Sequence, residues 1–277
     1  MDSILDRLEA TELRPFPAVA TKVLNAATDP TSKPADITKL VACEPSIAIR
    51  VLKVANSPAY GFARQISTLD QAVVVLGNKT IRDLVLTVAT ADLYATGDSA
   101  PEAREALWNH SLSCATVASI LAARTGEVAK DEAFLAGILH DVGKLIFYDV
   151  APAEYSQVNA TTDRSTIISV ETDTFGTNHQ EIGQRCIEEW DLPDEVHDAI
   201  CFHHSPSEAV FAPELTELVS LANSLSREWQ IGCTNPSTEP PEATDCENRP
   251  RFDDATMEEL KTKSEAEFEQ LLQACKS

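Results

Sequence analysis

The chain has 277 residues, enough for one large or two small domains with a substantial buried core. Hydrophobic residues make up 43% and aromatics only 6%, and glycine is scarce at 9, which argues against an all-β fold rich in tight turns and for helices packed on helices. The formal charge of −22, from 22 basic against 44 acidic residues, together with the lack of any run of Lys and Arg, excludes nucleic-acid backbones and anionic membranes as partners.

Apolar residues recur at helical spacing through most of residues 1–230, which predicts an all-α chain. Pro17 opens a run with Val19, Val23 and Leu24 that stops at Asp29-Pro30. Pro34 opens another with Ile37, Leu40 and Val41. Ile47, Val51 and Val54 mark a third, ending at Asn56-Ser57-Pro58. Ser67-Thr-Leu-Asp70 caps a short helix through Ala72–Leu76, which Gly77 ends, and Lys79 to Tyr94 forms the next. Thr96–Pro101 is a polar break. It is followed by a long helix over about 102–125, closed by Gly126, and by helices near 131–141, 145–150, 166–174, 180–190, 194–202 and 215–229. The break divides the chain into an N-terminal helical subdomain, 1–96, and a second helical subdomain, 97–232. Residues 233–277 form an acidic tail, flexible through Thr234–Arg251, with a weak helical stripe over Met257–Ala274.

Seven cysteines (43, 114, 186, 201, 233, 246 and 275) are odd in number, with no Cys-x-x-Cys pair. Several sit in apolar helical patterns as small hydrophobes. No basic-then-apolar leader opens the chain, and no window reaches the roughly 18 apolar residues of a membrane span. A reduced, bacterial-type cytoplasm is the expected location.

Five of the six histidines fall in one ordered series: His110, His140-Asp141, His179 and His203-His204. Imidazole and carboxylate together suit iron, manganese, zinc or nickel better than calcium, which takes oxygen only. His110 shares a helix face with Leu107, Cys114, Val117 and Leu121 and so points inward, where a lone histidine would be an ordinary core residue. Asp141 can bridge two cations while His140 binds one. Lys144 either meets an anionic substrate oxygen or pairs with Asp141 or Asp149. Gly143 turns the chain between them. His203 and His204 both face inward only if regular helix is lost there. His197, among Asp194, Glu195 and Asp198, is expected at the surface.

This series, with Gly137-Ile-Leu-His-Asp-Val-Gly-Lys144 and Trp190-Asp-Leu-Pro-Asp-Glu-Val-His-Asp-Ala-Ile-Cys-Phe-His-His204, resembles the HD superfamily of metal-dependent phosphohydrolases, above all its HD-GYP phosphodiesterase branch. Leu13-Arg-Pro-Phe-Pro-Ala-Val-Ala20, Val51-Leu-Lys-Val-Ala-Asn-Ser-Pro-Ala-Tyr-Gly61 and Ile66-Ser-Thr-Leu-Asp-Gln-Ala-Val-Val-Val-Leu-Gly77 narrow the resemblance to the HD-related output domain, HDOD, over about 13–229. The resemblance implies a two-lobed helical bundle with an HD-like core in the second lobe. It also implies a bacterial signal-transduction output module without established catalysis, working through a signalling protein partner or a small phosphorylated ligand. His110, His140, Asp141, His179, His203 and His204 would hold one or two divalent transition metals, with iron or manganese preferred. A metal-dependent phosphohydrolase is the alternative, with Asp141 and Lys144 as its catalytic residues. Two departures count against that alternative. Asn223, in Leu221-Ala-Asn-Ser-Leu225, stands where the superfamily has a final Asp, and a neutral amide is a weaker ligand. Ser205-Pro-Ser-Glu-Ala209 replaces the Gly-Tyr-Pro loop associated with cyclic dinucleotides. No receiver, kinase or cyclase segment is expected alongside, so the input would come from a separate protein or ligand.

Overall fold

The computed structural model describes residues 4–28, 31–56, 65–97, 99–161, 166–190, 192, 194–232 and 252–276. All secondary structure among them is helical, and none of their helices is long and apolar enough to cross a membrane. The expected stops at Asp29-Pro30 and Ser57-Pro58, the Ser57–Gly61 part of the second motif and the acidic stretch 234–251 lie outside the described residues. The chain divides into two compact units, Pro15–Leu93 with Glu265–Ser277, and Met1–Arg14 with Tyr94–Ser264.

In the first of these units, α2 (Ala18–Thr28), α3 (Pro34–Ala42), α4 (Pro45–Ala55) and α5 (Leu69–Ala95, whose last two residues belong to the other unit) follow the proline and glycine punctuation of the sequence. Pro34 and Pro45 occupy first helical positions, where the missing N–H costs nothing. Their inner faces bury Val23, Ile37, Val41, Val51 and Val54. Thr68 Oγ1 accepts from the Gln71 amide, and Gln71 Oε1 accepts from the Ser67 amide, so the start of α5 is capped from both sides. Gly77 breaks α5 at φ 82°, ψ 162°, a left-handed conformation open to glycine, so the two helices read from sequence run on as one kinked element. Asn56 joins the end of α4 to Ile66 with a reciprocal pair of bonds of 2.8 and 2.7 Å.

The larger unit holds α1 (Ile4–Ala10), α6 (Pro101–Thr125), α7 (Lys130–Leu139), α8 (Gly143–Val150), α9 (Pro152–Thr161), α10 (Ile167–Phe175), α11 (His179–Trp190), α12 (Asp194–Phe202), α13 (Pro213–Glu228) and the first part of α14 (Asp254–Lys276). Helix α6 is its axis. Leu107, Leu112, Cys114, Val117, Ile120 and Leu121 are all buried, and α7 and α13 pack along it. Gly126, at φ 74°, ends it as expected. Two close approaches depend on the absence of a side chain. A Cβ at Gly137 would stand 2.7 Å from Ala115 Cα, so α7 lies backbone-near on α6. A Cβ at Gly143 would collide with the His179 carbonyl and lie 2.8 Å from Gly183 N, which brings α8 against the start of α11. Gly143 is not at a positive φ. The chain turns over residues 140–142, directly before it, and Gly143 itself opens α8 and allows this approach. Arg14 and Arg104 both pair with Asp149, and Arg14 O accepts from the Trp190 indole at 2.9 Å, which ties the Leu13-Arg14 motif into the same unit.

A buried histidine–aspartate pocket in the larger unit

Four helices, α6, α7, α11 and α12, bring the histidine series to a single buried centre. His110 comes from mid-α6 and His140-Asp141 from the turn that follows α7. His179 opens α11, and His203-His204 lie just beyond the last residue of α12, where the helix has given way to a turn. That loss of helix is what lets two consecutive rings face the same pocket. His140, Asp141, His179 and His203 are buried, while His204 and His110 are partly so. The rings form one chain of contacts, with centroids 5.4 Å apart for His110–His140, 4.9 Å for His140–His203, 5.3 Å for His179–His203 and 4.4 Å for His203–His204.

Asp141 sits between two groups of donors. Its Oδ1 is 3.4 Å from His179 Nε2 and 3.5 Å from His203 Nε2, and it accepts no hydrogen bond among the described residues. Its Oδ2 accepts from Lys144 Nζ at 2.7 Å and lies 3.4 Å from His140 Nε2, 3.6 Å from His110 Nε2 and 3.8 Å from Arg227 Nη2. Lys144 thus makes the Asp141 pair that was one of its two expected roles.

Two sets of ligand atoms, His179/His203/His204 and His110/His140/Asp141, each lie within 4.8 Å of one another. The donors of the first set fit a metal on three counts. His203 Nδ1 lies 3.1 Å from the carbonyls of Ala199 and Ile200, which leaves Nε2 to face the pocket. The buried His204 Nε2 has no hydrogen-bond partner among the described residues. His179 Nε2 and His203 Nε2 stand 3.3 Å apart, the spacing of two imidazoles on one ion with metal–nitrogen bonds of about 2.0–2.1 Å. A bound divalent ion would act there as a Lewis acid or as a structural cross-link.

Electrostatics favour the same set. Burial, reinforced by Lys144, holds His179 well below the ordinary imidazole range, and burial with His203 does the same for His204. Burial brings His203 down to about 4 against the pull of Asp141. All three are therefore neutral at pH 7, the form a metal requires. His140 differs: burial opposes its charge, but Asp141 and Cys114 outweigh it and raise it to about 10. Burial also opposes the Asp141 carboxylate, yet Lys144 and His140 keep it well below the usual range. Burial and Arg227 depress His110.

Three functional residues were not read from the sequence. Glu171, fully buried on α10, accepts from the His179 backbone amide at 2.8 Å and pairs with His179 Nδ1 at 2.7 Å, while Tyr155 donates to its other oxygen at 2.7 Å. This fixes the His179 ring with Nε2 toward the pocket. Arg227 reaches His110 Nε2 at 3.1 Å, beside Asn223 Oδ1 at 2.9 Å from the same nitrogen. The Asp198 carboxylate accepts from the amides of Val210, Phe211 and Ala212 at 2.8, 2.5 and 2.8 Å, and so fastens the segment that follows Ser205–Ala209. His197, expected at the surface, is half-buried, because its ring packs edge-on to Phe202 and Phe211. Glu171 gives a sequence signal in hindsight: it stands four residues from both Ile167 and Phe175, on the buried face of α10. Arg227 likewise follows Asn223 by four.

An all-helical unit with a buried histidine–aspartate pocket defines an HD-type domain. Residues 13–206 match the HDOD domain family, and the chain belongs to it. The HDOD domain protein of unknown function from Geobacter sulfurreducens superposes with a TM-score of 0.75 at 28% identity, covering 97% of this chain and 92% of that one. A candidate phosphohydrolase from Shewanella amazonensis SB2B (22% identity, TM-score 0.72, 97% of each chain) and a candidate signal transduction protein from Marinobacter aquaeolei VT8 (23%, 0.74, all of this chain and 61% of that one) share the fold. An uncharacterized protein of Treponema pallidum is 26% identical over 206 residues, 73% of this chain, which therefore spans about two fifths (39%) of that relative.

Proposed function

We propose that this chain is a signal-transduction output module whose pocket binds a divalent transition metal, iron or manganese by family resemblance, and does not turn over substrate. The observation that carries the reading is the state of Asp141. One of its oxygens is engaged by Lys144 at 2.7 Å, and the carboxylate that would complete the adjoining ligand set is Asn223. A hydrolytic two-metal centre needs both halves built from ligands open to metal. Output then passes by contact with a signalling protein partner or by response to a small phosphorylated ligand, in the cytoplasm. Ile49, Val74 and Val75, exposed on α4 and α5, are apolar surface available for such a contact.

A metal-dependent phosphohydrolase is the second reading. It is favoured by the gathering of His110, His140, Asp141, His179, His203 and His204 in one buried pocket with Lys144 beside Asp141. In it Lys144 would meet the charge developing on a phosphoester.

Metal analysis of protein purified without a histidine tag, paired with assays on cyclic dinucleotides and generic phosphoesters, separates the two. Bound metal without turnover supports the module. Turnover lost in Asp141→Ala or His204→Ala establishes the hydrolase. Absence of metal after growth with ample iron and manganese defeats the metal in both.

A further inference from the structure

The pocket is asymmetric in where it places positive charge. Arg227 follows Asn223 by one turn of α13, so both side chains leave the same face of that helix toward His110. The Arg227 guanidinium lies 3.1 Å from His110 Nε2 and 3.8 Å from Asp141 Oδ2, and the Lys144 ammonium lies 2.7 Å from the same oxygen. Two protein cations therefore gather on the side of Asp141 that a metal at His110 and His140 would have to share. The His110 ring nitrogen that would ligate such an ion already faces the guanidinium and the Asn223 amide. Like charges at these separations in a buried site repel strongly, and an amide does nothing to offset them.

His140 Nε2 is a buried nitrogen on that side without a hydrogen-bond partner among the described residues, but on the other side of Asp141 the carboxylate oxygen itself also lacks one. Oδ1 and the buried His204 Nε2 accept no hydrogen bond among the described residues, and His179 and His203 aim their Nε2 atoms to within 3.5 Å of Oδ1. Lys144 and Arg227 make their ion pairs with the carboxylate through Oδ2.

We propose that the pocket binds one divalent metal ion, on His179, His203, His204 and Asp141 Oδ1, and that Arg227 takes the place of a second ion at His110, His140 and Asp141. This rests on the reading of the pocket as a metal site. It goes beyond it by naming the half that is filled and the side chain that closes the other. The guanidinium is a fixed cation with planar, directional donors, so it neutralises Asp141 permanently where an ion would do so only when bound.

The test is the metal content of purified, manganese-loaded protein, counted by inductively coupled plasma mass spectrometry, with melting temperatures to establish folding. Wild type is expected to hold one ion per chain, His204→Ala none, and His110→Ala one. Asn223→Asp alone is expected to stay at one, because the new carboxylate pairs with Arg227. Arg227→Gln combined with Asn223→Asp is expected to rise to two. Two ions in wild type would overturn the inference while leaving the metal reading intact. So would one ion lost in His110→Ala but kept in His204→Ala. A second ion in Asn223→Asp alone would show the missing carboxylate, and not Arg227, to be the barrier. A double variant that melts like wild type and still holds one ion would refute the role of Arg227. No ion in loaded wild type would defeat the metal reading itself, and this inference with it.

Discussion

Replacing Glu171 separates orientation of the metal ligand from support of the fold. The carboxylate accepts three hydrogen bonds, from the His179 amide at 2.8 Å, His179 Nδ1 at 2.7 Å and Tyr155 Oη at 2.7 Å, and none of these groups reaches water. In Glu171→Gln the amide oxygen can keep both His179 bonds while its NH2 donates to Tyr155, whose hydroxyl then accepts. Shape and hydrogen bonding survive and only the charge is lost. Removing the partner that orients a metal-bound imidazole typically costs 10–100-fold in affinity, about 1.4–2.7 kcal/mol. Glu171→Gln should therefore bind manganese about tenfold more weakly and melt within a few degrees of wild type. Glu171→Ala leaves two buried His179 donors and the Tyr155 hydroxyl unsatisfied and opens a cavity, at a cost of about 3–5 kcal/mol. At about 2–4 °C per kcal/mol for a chain of this size, its melting temperature should fall by roughly 10 °C. Titration calorimetry with manganese and thermal melts followed by circular dichroism read the two effects. Wild-type affinity in Glu171→Gln would refute the orienting role, and a wild-type melt for Glu171→Ala would refute the hydrogen-bond account.

Three further outcomes are expected. Gly143→Ala forces a methyl against the His179 carbonyl and Gly183 N, which are backbone and cannot rotate away; it should cost about 1–3 kcal/mol in denaturant unfolding and weaken metal binding by displacing the start of α11. Asp198 is held below its ordinary range: burial works against the carboxylate, but the amides of Ala212, Phe211 and Val210 outweigh it. The stability it adds is thus fully present above the unfolded value near pH ~3.9 and lost as pH falls through the lower folded value, so Asp198→Asn should be about 1–3 kcal/mol less stable at pH 7 with a flatter acid limb in pH-dependent melts. Burial pushes the Cys186 and Cys201 thiols up to about 12, so peptide mapping after maleimide treatment of native protein at pH 7.5 should find them unlabelled while exposed Cys43 is labelled.

The helices were legible because local chemistry sets them. Proline at first turns, Gly77 and Gly126 at positive φ, and apolar residues every three or four positions act within a few residues of each other. Two helices escaped that reading: α1, only seven residues long, and α9, where Pro152–Thr161 has almost no apolar stripe and is ordered by Tyr155 stacking on Phe147. At the site, the histidines announced themselves by order and type. The roles of Glu171, Arg227 and Asp198 depend on contacts across 8 to 117 positions of chain, and local spacing does not register such contacts. The same limit applies to Gly143, whose partner backbone lies on another helix.

The pocket also sets what the fold should gain from a ligand. Asp141 Oδ1 and His204 Nε2 are buried polar atoms accepting no hydrogen bond among the described residues, and each such atom costs about 1–3 kcal/mol. An ion ligated by both removes that penalty in the folded state alone, so metal binding is linked to folding. At a free concentration one hundred times the dissociation constant the gain is about 2.7 kcal/mol, or a rise of about 5–10 °C in melting temperature for a chain of this size. Scanning calorimetry of chelator-treated protein with and without manganese measures it. His204→Ala should melt at one temperature in both conditions, because it has lost both the orphan atom and the ligand. An equal metal-induced rise in that variant would place the ion elsewhere, and no rise in wild type would mean that these atoms are not held in waiting for a cation.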